Sequence, residues 1–336
     1  VLLVAHEHQN NSGGWSRPPV SAHAEADELQ LASSREHCRE VVKAQAKNFY
    51  YGMRLTPPDR RDALYAVYAW MRYADDLIDD APDDTARRAA LELLCAQTED
   101  ILRLRHTSSL HSPLADTRDA TVLSGTHWPA LHQALRQFPI QDQWLRSMLR
   151  GMRDDTQGRT YHNIPDLLEY CYCVGGTVGL TCTAIWGVRR EYDHALRLAE
   201  VLGRAFQLTN IARDIGQDLR SGRCYVPDQL LTSVARADLE EMAARRRPVS
   251  PAAEWIVQSL TLLATKYYDE ARPLEALIRP DCLASLHTMT RIYKGVLARL
   301  IADPTLAFTG RARVATPRKL LAVAAGVYRQ FEASGL

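Results

Sequence analysis

Two long stretches of this chain keep a helical period yet carry carboxylates on the stripe where a packed helix should be apolar. In the first, Tyr65, Tyr68, Arg72, Asp75 and Asp79 advance by steps of three and four, with Asp76 and Asp80 beside them. In the second, Gln207, Asn210, Asp214 and Asp218 do the same. Ala66, Val67, Trp70, Leu77 and Ile78 flank the first stripe, and Phe206, Leu208, Ile211 and Ile215 flank the second. Each helix is therefore expected to be buried on most sides, with its polar line facing an interior cavity. Residues four apart project from one face roughly 6 Å from each other, so each pair can grip a hard divalent cation through carboxylate oxygens. Two such helices face to face would concentrate negative charge that Mg²⁺ or Mn²⁺, with an anionic ligand such as a diphosphate, would balance. Taken alone, DDxxD also reads as a solvated acidic face. The amides of the second stripe also read as interhelical bonds with Asp214 paired to an arginine. The two stripes together favour the metal.

The remainder of the chain sets the frame. Apolar positions recur at three and four near 36–53, 58–80, 84–104, 128–155, 165–187, 192–219, 250–275, 283–302 and 316–333, and strand-like alternation is scarce. Thr56-Pro57-Pro58, Asn163 before Pro165, and Ser250-Pro251 mark helix starts. The expectation is a single all-α domain over 34–336, helices surrounding a central cavity, after an irregular or flexible segment at 1–33. His6, His8 and His23 in that segment are expected to be solvated, and 106–127, rich in turn formers, is expected to be an exposed loop. A net charge of +1 over 336 residues leaves no basic stripe for nucleic acid. Seven cysteines, odd in number, fit neither a zinc spacing nor a disulfide framework, which suits a reducing cytoplasm. No apolar run reaches the roughly 18 residues of a membrane span. The Cys171-x-Cys173 pair is expected to pack, and the Gly175-Gly176-Thr177-Val178-Gly179 run follows no strand, so it is not a phosphate loop. Glycines there instead let a hydrocarbon or a neighbouring backbone come close.

Metal beside arginine stabilises a diphosphate as a leaving group, and a dry pocket with tyrosine faces protects the carbocation left behind. The segments AKNFYYGMRLTPPDRRDALYAVYAWMRYADDLIDD, EYCYCVGGTVGL, LGRAFQLTNIARDIGQDLRSGRCYVP and RIYKGVL resemble the squalene/phytoene synthase family over about 47–319. The resemblance implies the isoprenoid synthase fold and a Mg²⁺-dependent prenyltransferase. Two allylic prenyl diphosphates would condense head to head through a cyclopropylcarbinyl diphosphate. It implies metal ligation by Asp75, Asp76, Asp79, Asn210, Asp214 and Asp218, with Asp80 assisting. Arg72, Arg213, Lys47 and Arg311 resemble the family's diphosphate-binding cations, and Tyr225 and Tyr293 its diphosphate-side tyrosines. Gln207 and Tyr68 would line the cavity floor, Tyr170 would stand near the cationic intermediate, and Phe49, Val174 and Gly175 would contact substrate. Met53 and Tyr65, one to three turns from the aspartates, are candidates for setting tunnel depth. Ala46, Gly175 and Gln217 depart from residues common in the family, which leaves local diphosphate contacts open.

The product is less sharply marked. NIARDIGQDLRSGRCYVP and YCYCVGGTVGL resemble bacterial phytoene synthases, whereas NFYYGMRLTPPDRRDALYAVYA resembles bacterial presqualene and squalene-type enzymes. The balance slightly favours two geranylgeranyl diphosphates giving phytoene over two farnesyl diphosphates giving presqualene diphosphate, squalene or dehydrosqualene. NADPH would enter only for a reducing squalene synthase. A non-catalytic isoprenoid-binding protein is the more remote alternative, and peripheral membrane contact through an apolar tunnel mouth is a further expectation.

Overall fold

The structure, a computed structural model, describes residues 22–107, 126–310 and 312–335, with residues 22–26, His23 among them, and Asp79 described by their backbone alone. Among these residues the chain is helical, apart from one isolated bridge between Val188 and Ile278. The helices are α1 (Ala22–Gln45), α2 (Asn48–Met53), α3 (Pro58–Asp79), α4 (Asp84–Leu104), α5 (Trp128–Gln137), α6 (Asp142–Thr156) and α7 (Ile164–Cys171). After a π turn (Tyr172–Gly176) come α8 (Thr177–Trp186), α9 (Tyr192–Arg220), α10 (Arg236–Ala243), α11 (Pro251–Glu270), α12 (Leu274–Leu277), α13 (Pro280–Ala302), α14 (Leu306–Thr309) and α15 (Thr316–Ser334). Local chemistry sets the limits. Asp83 caps α4 through the Ala86 N–H at 2.8 Å, Asn163 caps α7 through Asp166 N–H at 2.9 Å, and Ser250 caps α11 through Ala253 N–H at 3.2 Å. Prolines stand in the first turns of α3, α5, α7, α11, α13 and α15, where no amide hydrogen is missed.

α9 is the central helix, packed by α8, α10, α11, α13, α14 and the π turn, while α3 lies against α1, α4 and α5. A cavity opens between α9 and its neighbours. The expected helices are present, with four differences. α1 begins at Ala22, inside the stretch expected to be irregular, because AHAEADELQLA is built of strong helix formers even though its apolar stripe is weak. The single helix expected over 36–53 breaks at Lys47, whose φ of 42° lies in the left-handed region, and α2 restarts at a new angle onto α13. The stretch 128–155 divides at Phe138-Pro139-Ile140 into α5 and α6. The stretch 165–187 contains the π turn. The readings on residues 1–21 with His6 and His8, on 108–125 and on Arg311 lie outside the described residues.

Candidate active site

The interior wall is α9. Leu208, Ile211, Ala212 and Ile215 are at most 3% exposed, whereas Gln207, Asn210, Asp214 and Asp218 are half-buried along one line. Asn210 Oδ1 is buried with no hydrogen-bond partner, and its amide nitrogen lies 3.4 Å from Gln207 Oε1. Burial, and then the neighbouring Asp214 carboxylate, push Asp218 up to about 7, with Arg223 pulling the other way. Arg213 donates from Nε to Asp214 Oδ1 at 2.9 Å and from Nη2 to Oδ2. On α3, Arg72 does the same to Asp76, Nε to Oδ2 at 3.0 Å and Nη2 to Oδ1. Burial works against both guanidinium charges and is outweighed by these bonds, so both arginines stay above their ordinary range.

The two acidic rows are not equivalent. Asp75 and Asp80 are exposed and Asp76 half-buried, so the α3 carboxylates stand at a mouth where the α9 set stands in a wall. They belong to one site all the same. Met71 of α3 and Gln207 and Asn210 of α9 line the same cavity, and Ile78 of α3 shares a polar cleft with Asp155, Ser221 and Arg223. Tyr293 of α13 ties them together, within hydrogen-bonding reach of Arg213 and Asn210 and close enough to Tyr68 to raise its pKa. Burial is the larger cause of the Tyr68 shift, to about 12.

A hard divalent cation takes oxygen ligands. Asn210 Oδ1, an orphaned acceptor, and the Asp214 and Asp218 carboxylates on the same face supply oxygens of that kind, so the residues fit the ion. Among the described side chains no three of His, Cys, Asp or Glu converge closely enough to hold it unaided. Asp76 and Asp214 each accept from an arginine at both oxygens. Chelation by them requires those pairs to open.

Below Asn210 the surroundings turn apolar. A cavity of about 180 Å³ is lined by Phe49, Val174, Gly175, Phe206, Leu202 and Trp186 among others. From Asn210 to Ala199 along α9 it extends about 16 Å at the helical rise. Phe49, Phe206 and Tyr293 form an aromatic wall, with Tyr293 stacked on Phe206 at 4.6 Å and on Phe49 at 5.0 Å between centroids. Opposite, the π turn presses against α9. π turns recur at functional sites because the extra residue re-aims side chains, and here Val174 and Gly175 are the ones brought to the cavity.

Of the residues singled out from sequence, Phe49, Val174, Gly175, Gln207 and Asn210 line this cavity, and Tyr68, Arg213 and Tyr293 adjoin it. Met53 and Tyr65 do not. They are 6% and 3% exposed, and Tyr65 lies near Arg39 of α1 and Tyr50 of α2. The remote end of the cavity is formed by Cys182, Thr183, Trp186 and Leu274 instead. Lys47 is exposed at the strained start of α2. Tyr170 and Tyr225 stack at 5.0 Å, and both hydroxyls donate to Asp155, at 2.9 and 2.8 Å. Asp155 was not anticipated. Burial raises its carboxyl to about 6 against the pull of those two bonds. One sequence signal pointed to it: Asp154 and Asp155 in the last turn of α6 oppose the helix dipole, so helix stability does not account for them.

A family model for squalene/phytoene synthase matches residues 42–318. Phytoene synthase 2, chloroplastic, of Solanum lycopersicum is 34% identical over 299 residues, covering 87% of this chain and 89% of that protein. Phytoene synthase 1, chloroplastic, of Arabidopsis thaliana is 32% identical over 301 residues, covering 87% and 66%. Among solved structures, a dehydrosqualene synthase in complex with ligand superposes with a TM-score of 0.74 at 26% identity, over 92% of this chain and 99% of that one. A squalene synthase from Alicyclobacillus acidocaldarius superposes with a TM-score of 0.67 at 25% identity, over 82% and 96%.

Proposed function

The chain belongs to the squalene/phytoene synthase family of prenyltransferases, and from that premise we propose that it condenses two geranylgeranyl diphosphates head to head to phytoene. The observation that carries the reading is the continuity of one wall. The α9 line passes from Asp218, Asp214 and Asn210 directly into an apolar cavity that runs to Trp186. A diphosphate at one end and a hydrocarbon at the other is what such a wall accommodates.

In this reading Asn210, Asp214, Asp218 and the α3 aspartates, Asp75, Asp76 and Asp79, hold Mg²⁺ or Mn²⁺, which when bound neutralises the diphosphate and favours its departure as pyrophosphate. Arg72 and Arg213, freed from their aspartates, pair with diphosphate oxygens in the bidentate manner of guanidinium. The first allylic cation is attacked by the double bond of the second chain, and loss of a proton closes the cyclopropane. Departure of the second pyrophosphate and of a second proton gives the C40 hydrocarbon, with no reductant consumed. Phe49, Phe206 and Tyr293 exclude water and offer ring faces to the cation, worth about 0.5–2 kcal/mol each. Burial at about 0.8 kcal/mol per methylene binds the tails.

Relatives 32–34% identical that are phytoene synthases support the C20 substrate, and the dehydrosqualene synthase likeness keeps farnesyl diphosphate as the alternative. Incubation with each diphosphate and Mg²⁺, with and without NADPH, followed by mass analysis of the extracted lipid, tests it. Phytoene from the C20 substrate without NADPH is expected. Turnover of the C15 substrate alone would overturn the choice.

The seven unpaired cysteines support a reducing compartment, the cytoplasm. Among the described residues no helix is long and apolar enough to cross a membrane. Contact with a bilayer surface is supported instead by α15, where Leu320, Leu321, Val327, Tyr328 and Phe331 are each at least half exposed on one helical stripe.

A further inference from the structure

We infer that Asp155 is a positioning residue of the condensation site, one that accepts the hydroxyl hydrogen bonds of Tyr170 and Tyr225 and so commits this stacked pair to the prenyl cation rather than to the diphosphate. The inference rests on the reaction proposed above and follows from counting hydrogens. A tyrosine hydroxyl carries one proton. That of Tyr170 goes to Asp155 Oδ2 at 2.9 Å, and that of Tyr225 goes to Oδ1 at 2.8 Å. While Asp155 holds both, neither hydroxyl offers a proton to a diphosphate oxygen. What remains to the pair is electron density on its oxygens, carried by two rings stacked on each other 5.0 Å apart at 24°. Burial, and then the Asp155 carboxylate, hold both phenols protonated, and a carboxylate that accepts both hydrogen bonds leaves electron density on their oxygens to attract a cation.

The placement suits that task. Tyr225 lies against Asp218, Ile211 and Ile215, and Tyr170 stands one turn before Val174 in the cavity wall. Tyr161 backs both rings at 5.5 and 6.1 Å and is 2% exposed, so the pair cannot swing away. The three acidic and phenolic groups come from α6, α7 and the segment after α9, distant in sequence. Their convergence on one carboxylate fixes the mutual position of those elements beside the metal-side aspartates.

Asp155→Asn preserves shape but turns one acceptor oxygen into a donor, so one tyrosine loses its partner. The expected result is kcat lowered about 10–100-fold with KM for the prenyl diphosphate within about threefold of wild type. A measurable fraction of consumed substrate is expected to emerge as prenyl alcohols, the water-trapped cation. Tyr170→Phe and Tyr225→Phe are expected to give the same KM-against-kcat split and alcohol leakage. Each, combined with Asp155→Asn, is expected to add less than the product of the single effects. A raised KM with kcat preserved, an unchanged alcohol fraction, or multiplicative double variants would overturn the role. Should Asp155→Asn fail to fold, the two Phe variants, each leaving one partner on the carboxylate, read the same split. A wild-type enzyme inactive on both C15 and C20 diphosphates would overturn the reaction and the role together, whereas an active wild type with the contrary variant results overturns the role alone.

Discussion

Gly175 and Gly203 meet backbone to backbone: a Cβ on Gly203 would stand 2.2 Å from the Gly175 carbonyl oxygen, and one on Gly175 would stand 2.5 Å from the Gly203 oxygen. This contact seats the π turn on α9 and sets the width of the cavity that both glycines line. Gly203→Ala is expected to force the two apart and cost about 1–3 kcal/mol of stability. Because the displacement falls on the cavity wall, kcat/KM for the C20 diphosphate is expected to fall more than for the C15 diphosphate. Urea unfolding and paired kinetics check both. Unchanged substrate preference in a destabilised variant would separate the glycine contact from cavity width.

The Arg213–Asp214 pair leads to a second expectation. Asp214→Asn removes a proposed metal oxygen and the counter-charge of an arginine that is 9% exposed. Turnover is expected to fall about 100-fold or more, with the helical circular dichroism retained at 25 °C. Asp79→Asn is expected to behave likewise. Chelation with EDTA should abolish wild-type activity and added Mg²⁺ restore it. Normal turnover in either variant would sink the metal assignment.

The α9 and α3 stripes could be read from the chain because the polar positions fell on the period of a buried helix, a conflict that binary patterning exposes. Residues Gln207 and Asn210 reached the cavity for that reason. The π turn was not legible. A shift from i→i+4 to i→i+5 bonding leaves the apolar spacing of 165–187 almost untouched. Asp155 left only the faint local signal of an acid opposing the helix dipole at the end of α6, because its partner Tyr225 lies 70 residues on. Met53 and Tyr65 lie outside the cavity lining, and position along a helix does not say which neighbour encloses that turn.

Histidine 127 makes stability depend on pH. His127 is 1% exposed between the Tyr73 and Trp128 rings, and its Nε2 has no partner. Burial, with a smaller effect of His37, lowers its pKa from 6.5 to about 3. The folded state therefore holds it neutral. Its contribution is fully present above the unfolded value of 6.5 and is lost as pH falls toward 3, at about 1.4 kcal/mol per pH unit. Asp155, raised to about 6, acts with the opposite sign: its cost is present above about 6 and is relieved as pH falls toward 3.8. The informative quantity is thus the difference between wild type and His127→Gln. Urea unfolding between pH 6 and pH 4 is expected to show the wild type losing stability relative to the variant at about that rate. Parallel curves would show that the imidazole is protonated in the fold.

The exposed stripe of α15 bears on where the hydrocarbon goes. Leu320, Leu321, Val327, Tyr328 and Phe331 fall on one helical stripe, and Arg313, Arg318 and Arg329 are exposed around them, Arg329 being paired with Glu332 and Glu275. Apolar burial alone would hold a helix weakly at an interface, and anionic headgroups facing three arginines add to it. α15 packs on α13 and α2, and those helices carry Leu286, Met289 and Phe49 into the cavity lining, so a bilayer against α15 lies behind helices that line the cavity. Flotation is expected with vesicles containing phosphatidylglycerol, to be weaker with pure phosphatidylcholine, and to be lost in Leu321→Glu/Phe331→Glu with condensation of detergent-dispersed substrate retained. Equal flotation of variant and wild type would remove α15 from the contact. A concentration-dependent dimer abolished by the same substitutions, with no vesicle binding in wild type, would assign the stripe to a second copy of the chain.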